Sequence, residues 1–234
     1  LINTAAYNDV ESSEINKKDA IKTNFLAIKN LKKICDKNNI FFIHFSTDYV
    51  FNGKKKLYGE NSRVNPINQY GKSKANGEKF LLDSKTNNYI ILRLSWVYSK
   101  IGKNFYTKII TLIKKRKKIS VVNDQFGVPT STKFISFYLD KIIQNVVYKK
   151  KMSLIYHLTP NGKTTWYEFS VLILDFFNKT NKYKFKSIKI IPKKSNFINK
   201  AKRPLYSILN SKKIQKKLKI KFKNWKYYFD KEFA

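Results

Sequence analysis

Tyr70 and Lys74 stand four residues apart in the stretch NQYGKSKANGEKF. On a helix, positions i and i+4 lie one above the other on the same face. A free Tyr has a pKa of about 10, too high for ready proton exchange near neutrality. A neighbouring ammonium favours the phenolate and lowers that value, which turns the phenol into a usable general acid or base. The pair alone is a weak signal, because the chain holds 15 Tyr and is rich in Lys. Its setting adds weight. Upstream, the apolar run FFIHFS (41–46) leads directly into Thr47 and Asp48. Ligands of open parallel sheets gather at the carboxyl ends of strands, where a hydroxyl can bond a substrate carbonyl in concert with the Tyr. Asp48 by itself reads as a turn or cap residue.

The segments that must hold these groups alternate in type. LIN (1–3) reads as a strand end, followed by the loop TAAYNDVESSE. Residues 17–37 read as a helix with Ile21, Phe25, Ile28, Leu31 and Cys35 on one face. FFIHFS and YIILRLS (89–95) read as buried strands. Between them lie a loop over 52–67, marked by Gly53, Gly59, Asn61, Asn65 and Pro66, and a helix over 68–84 that carries Tyr70 and Lys74. A helix over 104–116, a strand at 119–122, a helix over 133–148, a strand at 153–158 and a strongly apolar helix over 165–178 follow. The tail reads as a strand near 187–191 and helices near 207–218 and 224–233. Apolar strands alternating with amphipathic helices predict a parallel sheet covered on both faces.

Composition narrows the class. With 234 residues, 42% of them apolar, the chain is long enough for one large domain or two closely joined small ones. No run approaches the roughly 20 apolar residues of a membrane span, and no leader-like segment opens the chain. The single Cys35 excludes an internal disulfide and predicts a reducing, cytoplasmic setting. One Cys and two His leave no thiolate zinc site. The net charge of +34 raises a polyanion binder as a rival reading. Against specific nucleic-acid recognition, the basic residues are spread along the chain and are nearly all Lys. The arginines are Arg63, Arg93, Arg116 and Arg203, whereas base readout favours the arginine fork.

The ordered motifs STDYVF (46–51), YGKSKANGE (70–78), LRLSWVY (92–98), GKNF (102–105), VVNDQFGVPT (121–130), IYHLTPNGKTTWYEF (155–169) and KRPLYSILNSKKI (202–214) span essentially the whole chain. Together they resemble the dTDP-4-dehydrorhamnose reductases, a family of extended short-chain dehydrogenase/reductases. The resemblance implies an α/β fold: a Rossmann-type, doubly wound parallel sheet with a smaller C-terminal α/β substrate domain. Residues 1–98 would hold the cofactor-binding part and the catalytic residues. Residues 99–234 would be mainly substrate-binding, with 131–160 returning to the Rossmann sheet. The implied activity is NADPH- or NADH-dependent reduction of a dTDP-4-keto sugar. Thr47, Tyr70 and Lys74 match the catalytic set. Tyr70 would donate a proton to the C4 keto oxygen, Thr47 would polarise that oxygen, and Lys74 would lower the Tyr70 pKa and bind the nicotinamide ribose. Ala5, Ala6 and Tyr7 match a loop beside the cofactor, with Asn8 where the family usually has Thr. Thr47 and Asp48 also match positions facing the sugar, Trp96 matches a residue stacking near it, and Arg203 is a candidate partner for the substrate pyrophosphate. Trp96 would equally suit core packing, and Arg203 a surface ion pair.

The chain opens LINTAAYNDV without Met, and its first 52 residues contain no Gly. The family's glycine-rich pyrophosphate turn and the first strands of the sheet are therefore expected either to lie upstream of Leu1 in a longer gene product or to have been lost from a decayed remnant, and residues 1–234 by themselves are expected to keep the catalytic face and lose most cofactor affinity. The same motifs would also suit a related nucleotide-sugar reductase or epimerase, or a non-catalytic subunit resembling the regulatory subunit of methionine adenosyltransferase. Some relatives form homodimers through magnesium, but the sequence shows no carboxylate cluster to support that metal.

Overall fold

The structure is a computed structural model that describes residues 1–147, 155–180, 188–196 and 201–233, with no side-chain account of 146 and 147. Strand β1 (Ile2–Asn3) leads through an open loop to helix α1 (Val10–Ile15), whose N-terminus is capped by Asp9 accepting from the Ser12 N–H. Asn16 breaks the helical path with φ −92° and ψ 54°, and α2 (Lys17–Ile21) restarts it. A π-helical turn (Lys22–Leu26) then runs into α3 (Ala27–Lys37). The single helix expected over 17–37 is thus widened at its centre, a distortion often found at functional sites. Here it carries the buried Asn24.

Strand β2 (Phe42–Thr47), a 3₁₀ turn (Asp48–Val50), α4 (Gln69–Leu82) and β3 (Tyr89–Leu94) follow, with bounds close to those expected. Next come β4 (Val97–Tyr98), α5 (Phe105–Lys115), β5 (Lys118–Val122), β6 (Phe126–Gly127), β7 (Thr130–Ser131) and α6 (Thr132–Ile142). The chain closes with β8 (Ile155–His157), β9 (Thr164–Thr165), α7 (Trp166–Thr180), β10 (Lys189–Lys193), α8 (Lys212–Leu218) and α9 (Trp225–Phe233). The expected ends at 148, 153–154 and 187 lie outside the described residues.

The main sheet has the order β1-β2-β3-β8, and every neighbouring pair is parallel. Alternation along the strands decides which core each residue joins. Phe42, Tyr89 and Ile91 pack with Ile28 and Cys35 of α3 and Leu81 of α4. Ile43, Ile90 and Leu92 face the opposite way, onto Phe134, Ile135 and Tyr138 of α6 and Ile214 of α8. This is the two-sided cover of a doubly wound sheet. A separate core joins β5 and β10 to α5, α7 and α9 through Ile109, Ile119, Val121, Phe169, Ile173, Trp225 and Phe229. Those two strands pair in parallel.

Helix α8 starts later than its apolar pattern suggests. Residues before it run extended beside Tyr58: the Tyr58 N–H donates to Ile208 O and the Asn210 N–H to Tyr58 O. Long-range backbone pairing overrides local propensity there.

Candidate active site

Thr47 ends β2, and Asp48 opens the 3₁₀ turn that follows. The Thr47 hydroxyl accepts from the Tyr49 N–H at 3.2 Å, which turns the chain, and donates to Asp48 Oδ1 at 3.1 Å. Helix α4 is brought over this turn at very short range. Asn68 caps its first turn by accepting from the Gly71 N–H at 2.7 Å. A Cβ at Gly71 would collide with the backbone carbonyl of Tyr49, so glycine is needed for the approach. The rings of Tyr49 and Tyr70 then meet edge to face, with centroids 5.8 Å apart. Tyr70 reaches a hydrogen bond with the Thr47 side chain.

Lys74 lies one turn further along α4 and is buried. Its ammonium donates to Phe45 O at 2.6 Å and lies 3.5 Å from His44 Nε2. Burial pulls the Lys74 pKa down to about 8, against the pull of Glu78. Burial pushes Tyr70 up to about 12; the Thr47 hydrogen bond lowers it and the Asp48 charge raises it. Lys74 is held by the strand carbonyl. Burial also lifts Asp48 to about 7, against the Ser207 and Thr47 hydroxyls, which lower it, and its buried Oδ2 makes no hydrogen bond of ordinary geometry.

The loop after β1 borders this cluster. Ala5 is exposed, Ala6 and Tyr7 are half-buried, and Asn8 is exposed. The Ala5 N–H donates to Asn3 Oδ1 at 3.1 Å. Asn24 grips the loop at Tyr7, accepting from its N–H at 2.9 Å and donating to its carbonyl at 3.0 Å. The same Asn24 amide donates to Ser73 Oγ at 2.9 Å, and Ser73 donates to Tyr70 O at 2.8 Å. Loop, π-helical turn and α4 are thereby fastened together. Gly77 permits the contact, since a Cβ there would press on the Asn24 carbonyl at 2.6 Å.

Two candidates sit differently. Trp96 has φ 45°, is 9% exposed, and stacks on Trp166 with centroids 3.4 Å apart and Gly127 against its ring. The structure places it in packing between β4, β6 and α7. Arg203 pairs with Glu11 of α1 at 2.6 Å, and the Ala201 N–H donates to Glu11 at 2.9 Å. It docks the tail on α1, and its guanidinium also reaches the Tyr49 hydroxyl.

Sequence reasoning passed over Asn3, Asn24, His44 and Ser73. His44 carried a usable signal, a polar residue inside an otherwise apolar strand. Asn24 carried none, because nothing in its spacing announces the π-helical turn. Among the described residues there is no group of three or more His, Cys, Asp or Glu that could hold a metal ion, and no helix is long and apolar enough to cross a membrane.

The sequence pattern of the RmlD substrate binding domain matches residues 1–233. A dTDP-4-dehydrorhamnose reductase of Escherichia coli is 31% identical over 228 residues, which cover 96% of this chain and 75% of the relative. One from Aggregatibacter actinomycetemcomitans is 33% identical over 96% of this chain and 77% of its own length. The crystal structure of the dTDP-4-dehydrorhamnose reductase from Bacillus anthracis in complex with NADP superposes with a TM-score of 0.89. It is 30% identical and covers 99% of this chain and 79% of that one. With its parallel sheet, its Thr47, Tyr70 and Lys74 at one strand end and these relatives, the chain belongs to the dTDP-4-dehydrorhamnose reductase family, whose pattern is the RmlD substrate binding domain.

Proposed function

We propose that the protein reduces dTDP-4-dehydro-6-deoxy-L-mannose to dTDP-L-rhamnose with NADPH or NADH, a step in building nucleotide sugars for surface polysaccharides. The observation that carries this reading is the meeting of Thr47, Asp48 and Tyr70 at the carboxyl end of β2, with buried Lys74 directly behind. The donor set suits the nicotinamide ribose. Lys74 has donors beyond the one given to Phe45 O, and the Ala5–Asn8 loop is tied through Asn24 to Ser73, the residue before Lys74. When bound, the cofactor supplies the hydride that reduces C4.

The chain's own residues handle the proton. Tyr70 Oη holds the proton that the C4 oxygen takes up as its charge develops. Thr47, by turning its one hydroxyl hydrogen from Asp48 Oδ1 to the keto oxygen, aligns that oxygen with Tyr70. Through Oδ2, Asp48 offers one buried carboxyl atom to a sugar hydroxyl. Arg203, paired with an exposed Glu11 carboxylate, can exchange that partner for a substrate phosphate. Trp96 acts as the wall against which the sugar pocket is built. The first ~98 residues would serve mainly the cofactor and the rest mainly the substrate, with β8 added to the first sheet.

The test follows NADPH absorbance with the dTDP-4-keto sugar for the wild type and Tyr70→Phe. General acid–base groups are worth about 10²–10⁴-fold, so the variant should lose that much in kcat with KM little changed. Equal turnover by both proteins would remove Tyr70 from its role.

A further inference from the structure

His44 has no part in that mechanism, yet it is fully buried directly behind Lys74. Its two ring nitrogens face two donors. On one side Asn3 Nδ2 lies 3.4 Å from Nδ1. The amide of Asn3 cannot turn freely, because its Oδ1 accepts from the Ala5 N–H. On the other side Lys74 Nζ lies 3.5 Å from Nε2. A neutral imidazole has one donor and one acceptor nitrogen. Burial, with the Lys74 charge behind it, holds the His44 pKa well below its ordinary value, so the ring stays neutral.

With Lys74 as an ammonium and Asn3 held by Ala5, one of the two contacts must therefore set donor against donor. Two changes relieve the conflict. Lys74 can lose its proton and accept from Nε2–H while Asn3 donates to Nδ1. Or the ring can carry its proton on Nδ1 and accept from the ammonium at Nε2, which requires Asn3 to present its carbonyl and release the Ala5 N–H. We propose that Asn3 and His44 form a buried relay that links the conformation of the Ala5–Asn8 loop to the charge on Lys74. His44 is a positioning residue in this scheme. Linkage is reciprocal: a ligand that draws the Ala5 N–H away from Asn3 favours the ammonium, and deprotonation of Lys74 tightens the loop.

The other ionisable groups around the pair do not break this logic. Helix α4 brings Glu78 towards Lys74, but Glu78 is itself held by Arg93 at 2.6 Å. The 48–50 turn brings Asp48, which acts on Tyr70 instead. The Lys74 pKa of about 8 puts its titration within reach of ordinary buffers.

The relay deepens the reductase reading, and its test needs no turnover. The chain has only two His, so long-range proton–nitrogen correlation spectra of the imidazoles are simple, and His44→Phe removes the His44 signals for assignment. Between pH 6 and 10 the ring of His44 should change from the Nδ1–H to the Nε2–H tautomer as Lys74 deprotonates. In Lys74→Met the Nε2–H form should persist at every pH, because only Asn3 remains as partner. A single tautomer across the range in the wild type would overturn the proposal, as would a change that survives in Lys74→Met. If the switch is present while the keto sugar is not turned over, the relay stands and the substrate assignment falls.

Discussion

The two cores of this protein bury different things. Under the main sheet, ionisable and amide groups lie among the aliphatics: Asn3, Asn24, His44, Asp48, Lys74, Glu78 and Arg93 are all buried. The core around β5, β10, α5, α7 and α9 has no carboxylate, ammonium or amide side chain among its described packing residues and mixes aliphatic side chains with a cluster of rings. Phe169 meets Tyr98, Phe105, Trp225 and Phe229 with centroids 5.3–5.9 Å apart. Glu232 is a buried charge of the second region, and it works as a cap, accepting from the Lys133 N–H at the start of α6. The difference teaches where specificity resides. Each polar group of the first region requires one partner in one orientation, whereas rings tolerate repacking at modest cost.

The largest effect should come from breaking the pair Glu78–Arg93. The Arg93 guanidinium is bidentate on Glu78, at 2.6 and 2.8 Å, with both side chains almost fully buried. Arg93→Met would leave Glu78 charged and alone, a loss of about 3–5 kcal/mol readable as a fall in the urea midpoint. Adding Glu78→Leu should recover much of that loss, because an apolar pair needs no compensation. A double variant no better than the single would show that the ion pair supplies net stability of its own.

Next in size is a pH effect at Asp48. Its folded pKa of about 7 lies above the ordinary carboxylate value of 3.8. A raised folded value means that burial favours the protonated form. Its contribution is therefore full below pH 4 and is lost as pH rises towards 7. Relative to Asp48→Asn, the wild type should lose up to about 4 kcal/mol of unfolding free energy across that window, at 1.36 kcal/mol per pKa unit. Urea unfolding of both proteins at pH 4, 5, 6 and 7 measures it, and a constant difference would mean that Asp48 is solvated or partnered. The smallest effect belongs to the ring core. Phe169→Leu should cost about 1–2 kcal/mol in the same assay and leave KM for the keto sugar unchanged. A cost as large as that of Arg93→Met would erase the contrast between the two regions.

How much of the molecule is legible in the chain follows from the range of each interaction. Short apolar runs locate β2 and β3, and helical periodicity locates α4, α5 and α7, because burial on two faces leaves a run and burial on one face leaves a period in the local sequence. The order of motifs points to Thr47, Tyr70 and Lys74. The short strands β4, β6, β7 and β9 are not legible, since two residues carry no period, and their pairing is decided by distant segments such as Phe126 with Thr165. The extended path before α8 escapes the local pattern for the same reason.

The layered α/β architecture and the residues at the strand end are written in local pattern and side-chain chemistry, and both can be read from the chain before it folds. What those residues touch is set by the folded arrangement. It gave Lys74 to the Phe45 carbonyl and to His44, raised Tyr70 by burial, buried Trp96 against Trp166, and paired Arg203 with Glu11. A pKa or a hydrogen-bond partner depends on desolvation and on groups far away in sequence, and neither quantity exists until the chain has folded.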